Sequence, residues 1–356
     1  MPNPSETLTL ADLENWNRRD AAGNFLPSLA VLGHPVAHSV SPQMHNAALA
    51  MLAEKYPQLK EWKYFKFEIK PEELERALSL LSGKNFKGTN VTVPHKQAVA
   101  VQLSQLYEEA LAKMTKGDFD AIRQLANTSR LFELPAESSA NTVVFDRYPR
   151  AYSTDGYGLV QGLKRDLQVL LRGKTVVMLG TGGAASEAAK ECVMQGCAVL
   201  WIGGRDAEKR RQLREQVHNR RVRHPMNTPK EAKIFDFDLA DTTVAKDWPE
   251  DVVVINATTL GMKREDPLPL EVSLLGKRAS VFDMVYNRQG PTKLVEAARA
   301  RDLRAADGLG MLIWQGAKSL TMWLKVHEGL DISPESIAQT MMDAACATLG
   351  LPHRHA

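Results

Sequence analysis

A chain of 356 residues is long enough for two domains, each with a core of its own. Its 45 basic and 42 acidic residues leave a formal charge of +3, too even a balance for nucleic acid to be the main partner. Three cysteines make neither a disulfide framework nor a zinc signature and fit a reducing compartment; no apolar run is long enough for a membrane helix, and Met1 to Asn24 is polar without a signal-peptide core, so a cytoplasmic protein with no membrane partner is expected.

Met1 to Pro27 reads as a polar leader in which Leu8, Leu10, Leu13 and Trp16 line one short helix face. Leu29 to Leu32 is the first clear strand, and it runs into Gly33-His34-Pro35-Val36-Ala37-His38-Ser39-Val40-Ser41-Pro42. Ser41 before Pro42 predicts an N-cap followed by proline at the first helical position, with a helix from Pro42 to about Lys55. The hydroxyls of Ser39 and Ser41 thus sit at a strand end, where α/β sheets place ligands. His34, His38 and His45 invite a metal reading, but no cluster of carboxylates or thiolates accompanies them, and no metal is expected.

Trp62 to Ile69 alternates as a strand, and Pro71 to Leu81 follows as a helix with Leu74, Leu78 and Leu81 on one face. Gly88-Thr89-Asn90-Val91-Thr92-Val93-Pro94-His95-Lys96 is a short strand stopped by proline, with Asn90 and Thr92 on one face and Lys96 immediately beyond. Such a trio can bind and protonate an oxygen-rich substrate. Ser139 to Phe145 reads as a strand; Tyr152 to Gly158 ends its partner and starts a helix toward Leu171. Asp155 then stands at a domain junction, where clefts form.

Thr175 to Leu179 is an apolar, β-branched run followed at once by Gly180-Thr181-Gly182-Gly183-Ala184-Ala185, and Ala188, Ala189, Cys192 and Val193 then recur at helical spacing. Strand, tight turn and helix start form a G-x-G-x-x-A dinucleotide site: Gly180 permits the turn, Gly182 lets a pyrophosphate approach, and Ala185 lets the helix lie close to the sheet. Ala198 to Ile202, Val252 to Ile255 and Val281 to Phe282 are the later parallel strands. Lys209, Arg210, Arg211, Arg214, Arg220, Arg221 and Arg223 form a basic cluster, read as a solvated helix face except for its first members.

With these motifs on the page, the chain resembles the shikimate dehydrogenase family from Leu29 to Gln315. The matching stretches, in order, are Ser39-x-Ser41-Pro42, Asn90-Val-Thr-Val-Pro-His-Lys96, Ala140-Asn141-Thr142, Thr154-Asp155-Gly156, Gly180 to Ala184, Asn256-Ala-Thr258, Asp283-Met284-Val-Tyr286 and Asp307-Gly308 to Gln315. The resemblance implies an α/β protein of two domains: a substrate domain with a mixed sheet over residues 1–154, completed by C-terminal helices over 308–356, and a Rossmann-type dinucleotide domain over 155–307. It implies NADPH-dependent, reversible reduction of 3-dehydroshikimate to shikimate, with Lys96 as catalytic lysine and Asp155 as its carboxylate partner. Ser39, Ser41, Asn90, Thr92, Asn141, Tyr286 and Gln315 would bind substrate. Gly180, Thr181, Gly182, Gly183, Ala184, Gly204, Arg205, Lys209, Thr258, Met284 and Gly308 would bind the cofactor. The partner is then a small molecule, with a homodimer left open.

The chain departs from the family at Ser153, where Asn is usual, at Ser139, where Gly is usual, and in an insertion around 107–137. The cofactor is read as NADP, because Arg205 and Lys209 offer two cations to a 2′-phosphate. NAD stays as the alternative, because Asp206 lies near the position where NAD-preferring relatives carry an acid for the ribose hydroxyls. A quinate/shikimate dehydrogenase and a non-catalytic dinucleotide-binding regulator are the rival functions. Lys96 and Asp155 being present argues against the regulator.

Overall fold

The computed structural model of the chain describes residues 3–113, 139–146, 149–223, 232–288 and 290–356, with backbone alone at 106–113 and 220–223. It divides into two units, residues 1–154 with 316–355, and residues 155–315 with Ala356. Most of the insertion expected around 107–137 lies outside the described residues; its beginning continues a helix.

The first unit holds β1 (Thr7–Leu8), α1 (Leu10–Glu14), β2 (Ser28–Gly33), α2 (Ser41–Lys55), β3 (Lys63–Glu68), α3 (Leu74–Gly83), β4 (Phe86–Val91), α4 (Lys96–Lys113), β5 (Thr142–Val144) and β6 (Arg150–Tyr152). Its sheet runs β1-β3-β2-β4-β5-β6. The first four strands pair in parallel and the last two antiparallel, so the sheet is mixed. β2 is buried along its whole length, which is why its sequence is apolar without alternation. Trp16, Phe65, Phe67 and Phe86 meet in an aromatic cluster under the sheet, Trp16 edge-on to Phe65 at 4.9 Å.

Several local expectations change. Leu8 belongs to a strand beside β3 rather than to the α1 helix face, although Leu13 and Trp16 are buried as expected. Val40, not Ser41, occupies the N-cap of α2, and it makes no side-chain cap bond. Ser39 Oγ instead accepts from the Ser41 N–H at 3.3 Å, so the serine two residues upstream serves the helix start. β4 ends at Val91, leaving Thr92 beyond the strand, and Lys96 is the first residue of α4.

The second unit holds α5 (Asp155–Asp166), β7 (Thr175–Leu179), α6 (Gly183–Met194), β8 (Val199–Gly204), α7 (Ala207–Arg223), β9 (Lys233–Asp238), β10 (Val253–Asn256), β11 (Ser280–Asp283), α8 (Lys293–Arg299) and β12 (Arg304–Ala306). The strands run β12-β11-β10-β7-β8-β9, all in parallel. This is the doubly wound dinucleotide order, whose switch point lies between β7 and β10. Alternate strand residues serve two cores. Val176, Met178, Leu200, Ile202 and Ile255 pack with Ala185, Ala188 and Cys192 of α6, whereas Val177, Leu179, Val254 and Val281 pack with Leu294, Val295 and Ala298 of α8. Helices on both faces bury the central strands β7, β10 and β11, and the three cysteines, all buried thiols, are packing residues.

Helix α5 stops at Asp166, short of Leu171. The last helices are α9 (Leu309–Glu328) and α10 (Glu335–Leu349), the latter packed on α2. The expected boundary at 307/308 moves into α9, after Gln315. The cause is close packing of the first turns of α9 on α5: a Cβ at Gly158 would lie 2.6 Å from the Met311 carbonyl oxygen, and one at Gly162 would lie 3.4 Å from the Met311 nitrogen. Among the described residues no helix is long and apolar enough to cross a membrane.

Burial pushes down three histidines of the first unit, His45, His95 and the half-buried His327, and two of them far enough to matter for stability. His45 stacks on Tyr64 at 4.1 Å and its Nδ1–H donates to the Ser41 carbonyl at 2.8 Å; burial pushes it down to about 4. His327, whose Nε2–H donates to the Lys87 carbonyl at 2.8 Å, is pushed down to about 4 by burial as well. The unfolded chain takes up these protons near the ordinary value of 6.5, so folded-state stability is lost as the pH falls from 6.5 to about 4. The melting temperature should therefore drop more steeply between about pH 7 and about pH 5 in the natural protein than in a His45→Gln, His327→Gln variant. Parallel slopes would show that the two imidazoles are not the cause.

Candidate active site

Neighbouring parallel strands β2 and β4 deliver their following loops to the same end of the first sheet. The His34 N–H donates to the Val93 carbonyl at 3.1 Å and ties the two loops together. β5 runs the other way, so it begins where β4 ends: Thr142 lies opposite Asn90, with Asn141 just before it. One sheet end thereby gathers Ser39, Ser41, Asn90, Thr92, Lys96 and Asn141.

The two asparagines are held inside a polar network. Tyr64 Oη donates to Asn90 Oδ1 at 2.8 Å, and Asn90 Nδ2 reaches the Asn141 carbonyl at 3.0 Å and Ser319 Oγ at 3.1 Å. Asn141 Oδ1 accepts from the Thr154 N–H at 2.8 Å and from Thr142 Oγ1 at 3.0 Å. Burial pushes the Tyr64 phenol well up, while a hydrogen bond with the Ser41 side chain opposes the shift. The phenol stays a neutral donor and links the Ser41 hydroxyl to Asn90. Thr92 is held by its N–H on the Leu32 carbonyl at 2.9 Å, and the Lys96 carbonyl accepts from the Ala140 N–H at 2.9 Å. Lys96 and Ser39 are half-buried and Ser41 is buried, so hydroxyls and an ammonium share this end with polar groups already fixed in place.

Tyr64, Ser319 and His45 carry this arrangement without having been singled out for it by sequence. Ser319 lies one helical turn beyond Gln315, and that spacing was the available signal. The metal reading finds no support in position: His45 is stacked and hydrogen-bonded, and His34 Nδ1 pairs with Glu68 at 3.3 Å. Among the described residues no group of three or more His, Cys, Asp or Glu side chains could hold a metal ion.

Asp155, Tyr286, Gln315 and the whole glycine loop belong to the second unit. Asp155 is the buried first residue of α5. Gln315 is buried on α9 with Nε2 on the Leu312 carbonyl at 2.8 Å, and burial pushes the Tyr286 phenol up, keeping it protonated. Gly180 takes φ +115°, and a Cβ there would meet the Ala257 carbonyl oxygen at 2.9 Å, so the loop needs glycine and lies against the 256–258 turn. Gly182 is the N-cap of α6, makes no side-chain cap bond and faces open space. The first N–H groups of α6 are thus available to a pyrophosphate at the positive end of the helix.

Cofactor ends can be assigned on either side of this loop. Thr181 packs on Gly204 at the end of β8, followed by exposed Arg205 and Lys209. Three neighbouring arginines of the basic cluster are occupied: Arg210 donates to the Gly204 carbonyl at 2.7 Å and pairs with Asp236 and Asp238, Arg211 pairs with Glu208 and Glu215, and Arg214 pairs with Asp236. Asp206 caps α7, its Oδ1 accepting from the Lys209 N–H at 3.1 Å. Across the switch point, Thr258 hydrogen-bonds Asn256 Oδ1 at 2.7 Å, and Gly308 lies directly on the Met284 backbone, its N–H on the Val285 carbonyl at 3.1 Å. An uncapped helix start, two exposed cations and a glycine cradle fit a phosphorylated dinucleotide.

Known proteins supply the family. The family model described as the shikimate dehydrogenase substrate binding domain matches residues 31–114. The shikimate dehydrogenase (NADP(+)) of Moorella thermoacetica is 33% identical over 297 residues, 83% of this chain and 87% of that protein. This chain belongs to the shikimate dehydrogenase family. The same enzyme of Methanocella arvoryzae is 33% identical over 306 residues, 86% of this chain and 96% of its own. Among solved structures, the shikimate 5-dehydrogenase of Thermus thermophilus in complex with NADP(H) and shikimate is 27% identical, with a TM-score of 0.62, covering 90% of this chain and 100% of that one. The family's two-domain α/β fold, with a mixed sheet and a Rossmann-type sheet, is the fold found here.

Because Arg210, Arg211 and Arg214 already have carboxylate partners, replacing Arg205 and Lys209 together by Ala should lower kcat/KM with NADP by about tenfold or more and leave NAD nearly unchanged, each charged bond to phosphate contributing about 1.5 to 3 kcal/mol. An equal loss with both cofactors would show that the two cations do not select the phosphate.

Proposed function

We propose that this protein is an NADP-dependent shikimate dehydrogenase that interconverts 3-dehydroshikimate and shikimate. The observation that carries the reading is the meeting of Ser39, Ser41, Thr92 and Lys96 at one sheet end in a chain of this family. A ring bearing a carboxylate and several hydroxyls needs many neutral donors and acceptors, and one proton source at the carbonyl oxygen. Ser39 and Ser41 are assigned to the carboxylate, and Thr92, Asn141, Tyr286 and Gln315 to the remaining shell; Asn90 supports that shell from within its network.

Bound NADPH supplies the hydride. The chain's own part is to orient the ring and to move one proton. Lys96, as an ammonium, donates it to the carbonyl oxygen during reduction; as an amine, or through a water it holds, it accepts the proton during oxidation. Asp155 is its carboxylate partner and grips a neighbouring hydroxyl. The α6 start receives the pyrophosphate, and Arg205 and Lys209 receive the 2′-phosphate. We take the working compartment to be the cytoplasm, in keeping with three buried thiols.

Lys96→Ala should reduce kcat by about 10²- to 10⁴-fold with a smaller change in substrate KM, whereas Asp155→Ala should show a larger share in KM. A folded Lys96→Ala enzyme that keeps most of its kcat places the proton donor elsewhere. In the natural enzyme, shikimate should be oxidised with higher kcat/KM than quinate, since the paired Ser39 and Ser41 hydroxyls suit the planar, unsaturated shikimate ring; comparable values for the two substrates would exclude that selectivity.

A further inference from the structure

We infer that Asp283 is a positioning residue that fixes the half of the dinucleotide site beyond the switch point, holding the turns that carry Thr258, Met284 and Tyr286 to one buried carboxylate. The inference rests on the NADP reading above and assigns a role to a residue that contacts neither phosphate nor substrate in that reading.

Asp283 is the last residue of β11 and lies in register with Asn256, the last residue of β10. Both continue the alternation of Val281 and Val254, so both point to the face covered by α8. There the apolar layer ends and a fully buried polar layer begins, with Asn256, Asp283 and Thr292 all at 0% exposure. Asp283 Oδ1 accepts from Asn256 Nδ2 at 2.8 Å and from the Val285 N–H at 3.1 Å, and Oδ2 accepts from Thr292 Oγ1 at 2.6 Å. Burial pushes its carboxyl up, and the bonds from Thr292, Val285 and Asn256 oppose that shift.

Each bond reaches a different piece of the site. Through Asn256 the carboxylate controls the 256–260 turn, because Asn256 Oδ1 accepts from both the N–H and the Oγ1 of Thr258, and its Nδ2 also reaches the Leu260 carbonyl at 3.1 Å. Through the Val285 N–H it closes the turn containing Met284 and leading to Tyr286, against which Gly308 is seated. Through Thr292 it holds the start of α8, since the same hydroxyl accepts from the Val295 N–H. An Asn at 283 keeps the shape but puts an NH2 donor in place of one of the two accepting oxygens where three donors converge, so at least one link must reverse or break and the others lose the carboxylate's charge.

The adenosine end, at β8 and α7, makes no use of this carboxylate, and that gives the test. Binding of NADP and of adenosine 2′,5′-bisphosphate, which reaches only the phosphate and adenosine end, is measured by calorimetry on the natural protein and on Asp283→Asn. The expected result is an NADP Kd raised about tenfold with an unchanged Kd for the bisphosphate, accompanied by a higher KM for NADP and an unaltered pH profile of kcat. An NADP Kd within about twofold of the natural protein in a folded variant would overturn the role. If Asp283→Asn loses both ligands through misfolding, Asn256→Ala cuts the same link from the other strand: the same split between ligands supports the role, and unchanged NADP binding overturns it. Failure of the natural protein to bind the bisphosphate counts against the NADP reading alone, and the same comparison with NAD and AMP then decides on Asp283.

Discussion

A strand covered on both faces by apolar layers can offer polar chemistry only at its ends. That constraint organises both units of this protein. In the second sheet all strands are parallel, so every carboxyl end falls on one side, and the glycine loop after β7, the cations after β8, the Asn256 turn after β10 and the Asp283 turn after β11 are delivered together. In the first sheet the reversal of β5 adds the amino end of an antiparallel strand, bringing Asn141 and Thr142 beside Asn90. The mixed sheet is thus one way to place residues distant in sequence around a polyol.

The polar residues at these ends fall into two kinds. Asn90, Asn141, Asn256 and Asp283 are buried and bonded to protein partners; Ser39, Thr92, Lys96, Arg205 and Lys209 retain exposure. Buried amides and carboxylates are costly unless their bonds are satisfied, so a network that satisfies them also fixes the orientation of the exposed set. Preorganisation of that sort is what recognition of a small hydroxylated acid requires.

Much of this was legible in sequence because it is local. The glycine turn and the continuous apolar runs of β7, β8, β10 and β11 each record their own conformation, and the order of polar strand ends carried the family resemblance. What escaped depends on tertiary neighbours. Ser41 reads as an N-cap by its place before proline, yet the cap position falls on Val40, and Ser39 takes the bond. Leu8 fits a helix face by spacing, yet pairing with β3 draws it into a strand. Strand β9, edge-placed with polar Asp236 and Asp238 among its aromatic residues, and short β12 carry weak periodicity, and neither was foreseen. Tyr64 and Ser319 are ordinary strand and helix residues until the sheet end brings them to Asn90.

Asp206 has a consequence for how cofactor choice can evolve. It is retained as the cap of α7, a bond of a kind that contributes about 1 kcal/mol to a helix, irrespective of which dinucleotide is bound. An acid therefore already stands two residues beyond the end of β8 for reasons of helix stability, with Arg205 and Lys209 on either side of it along the chain. Losing the flanking cations would unmask a negative charge that can accept from ribose hydroxyls but repels a phosphate. A lineage carrying this helix start lies few substitutions from the opposite coenzyme, and none of them needs to disturb the fold.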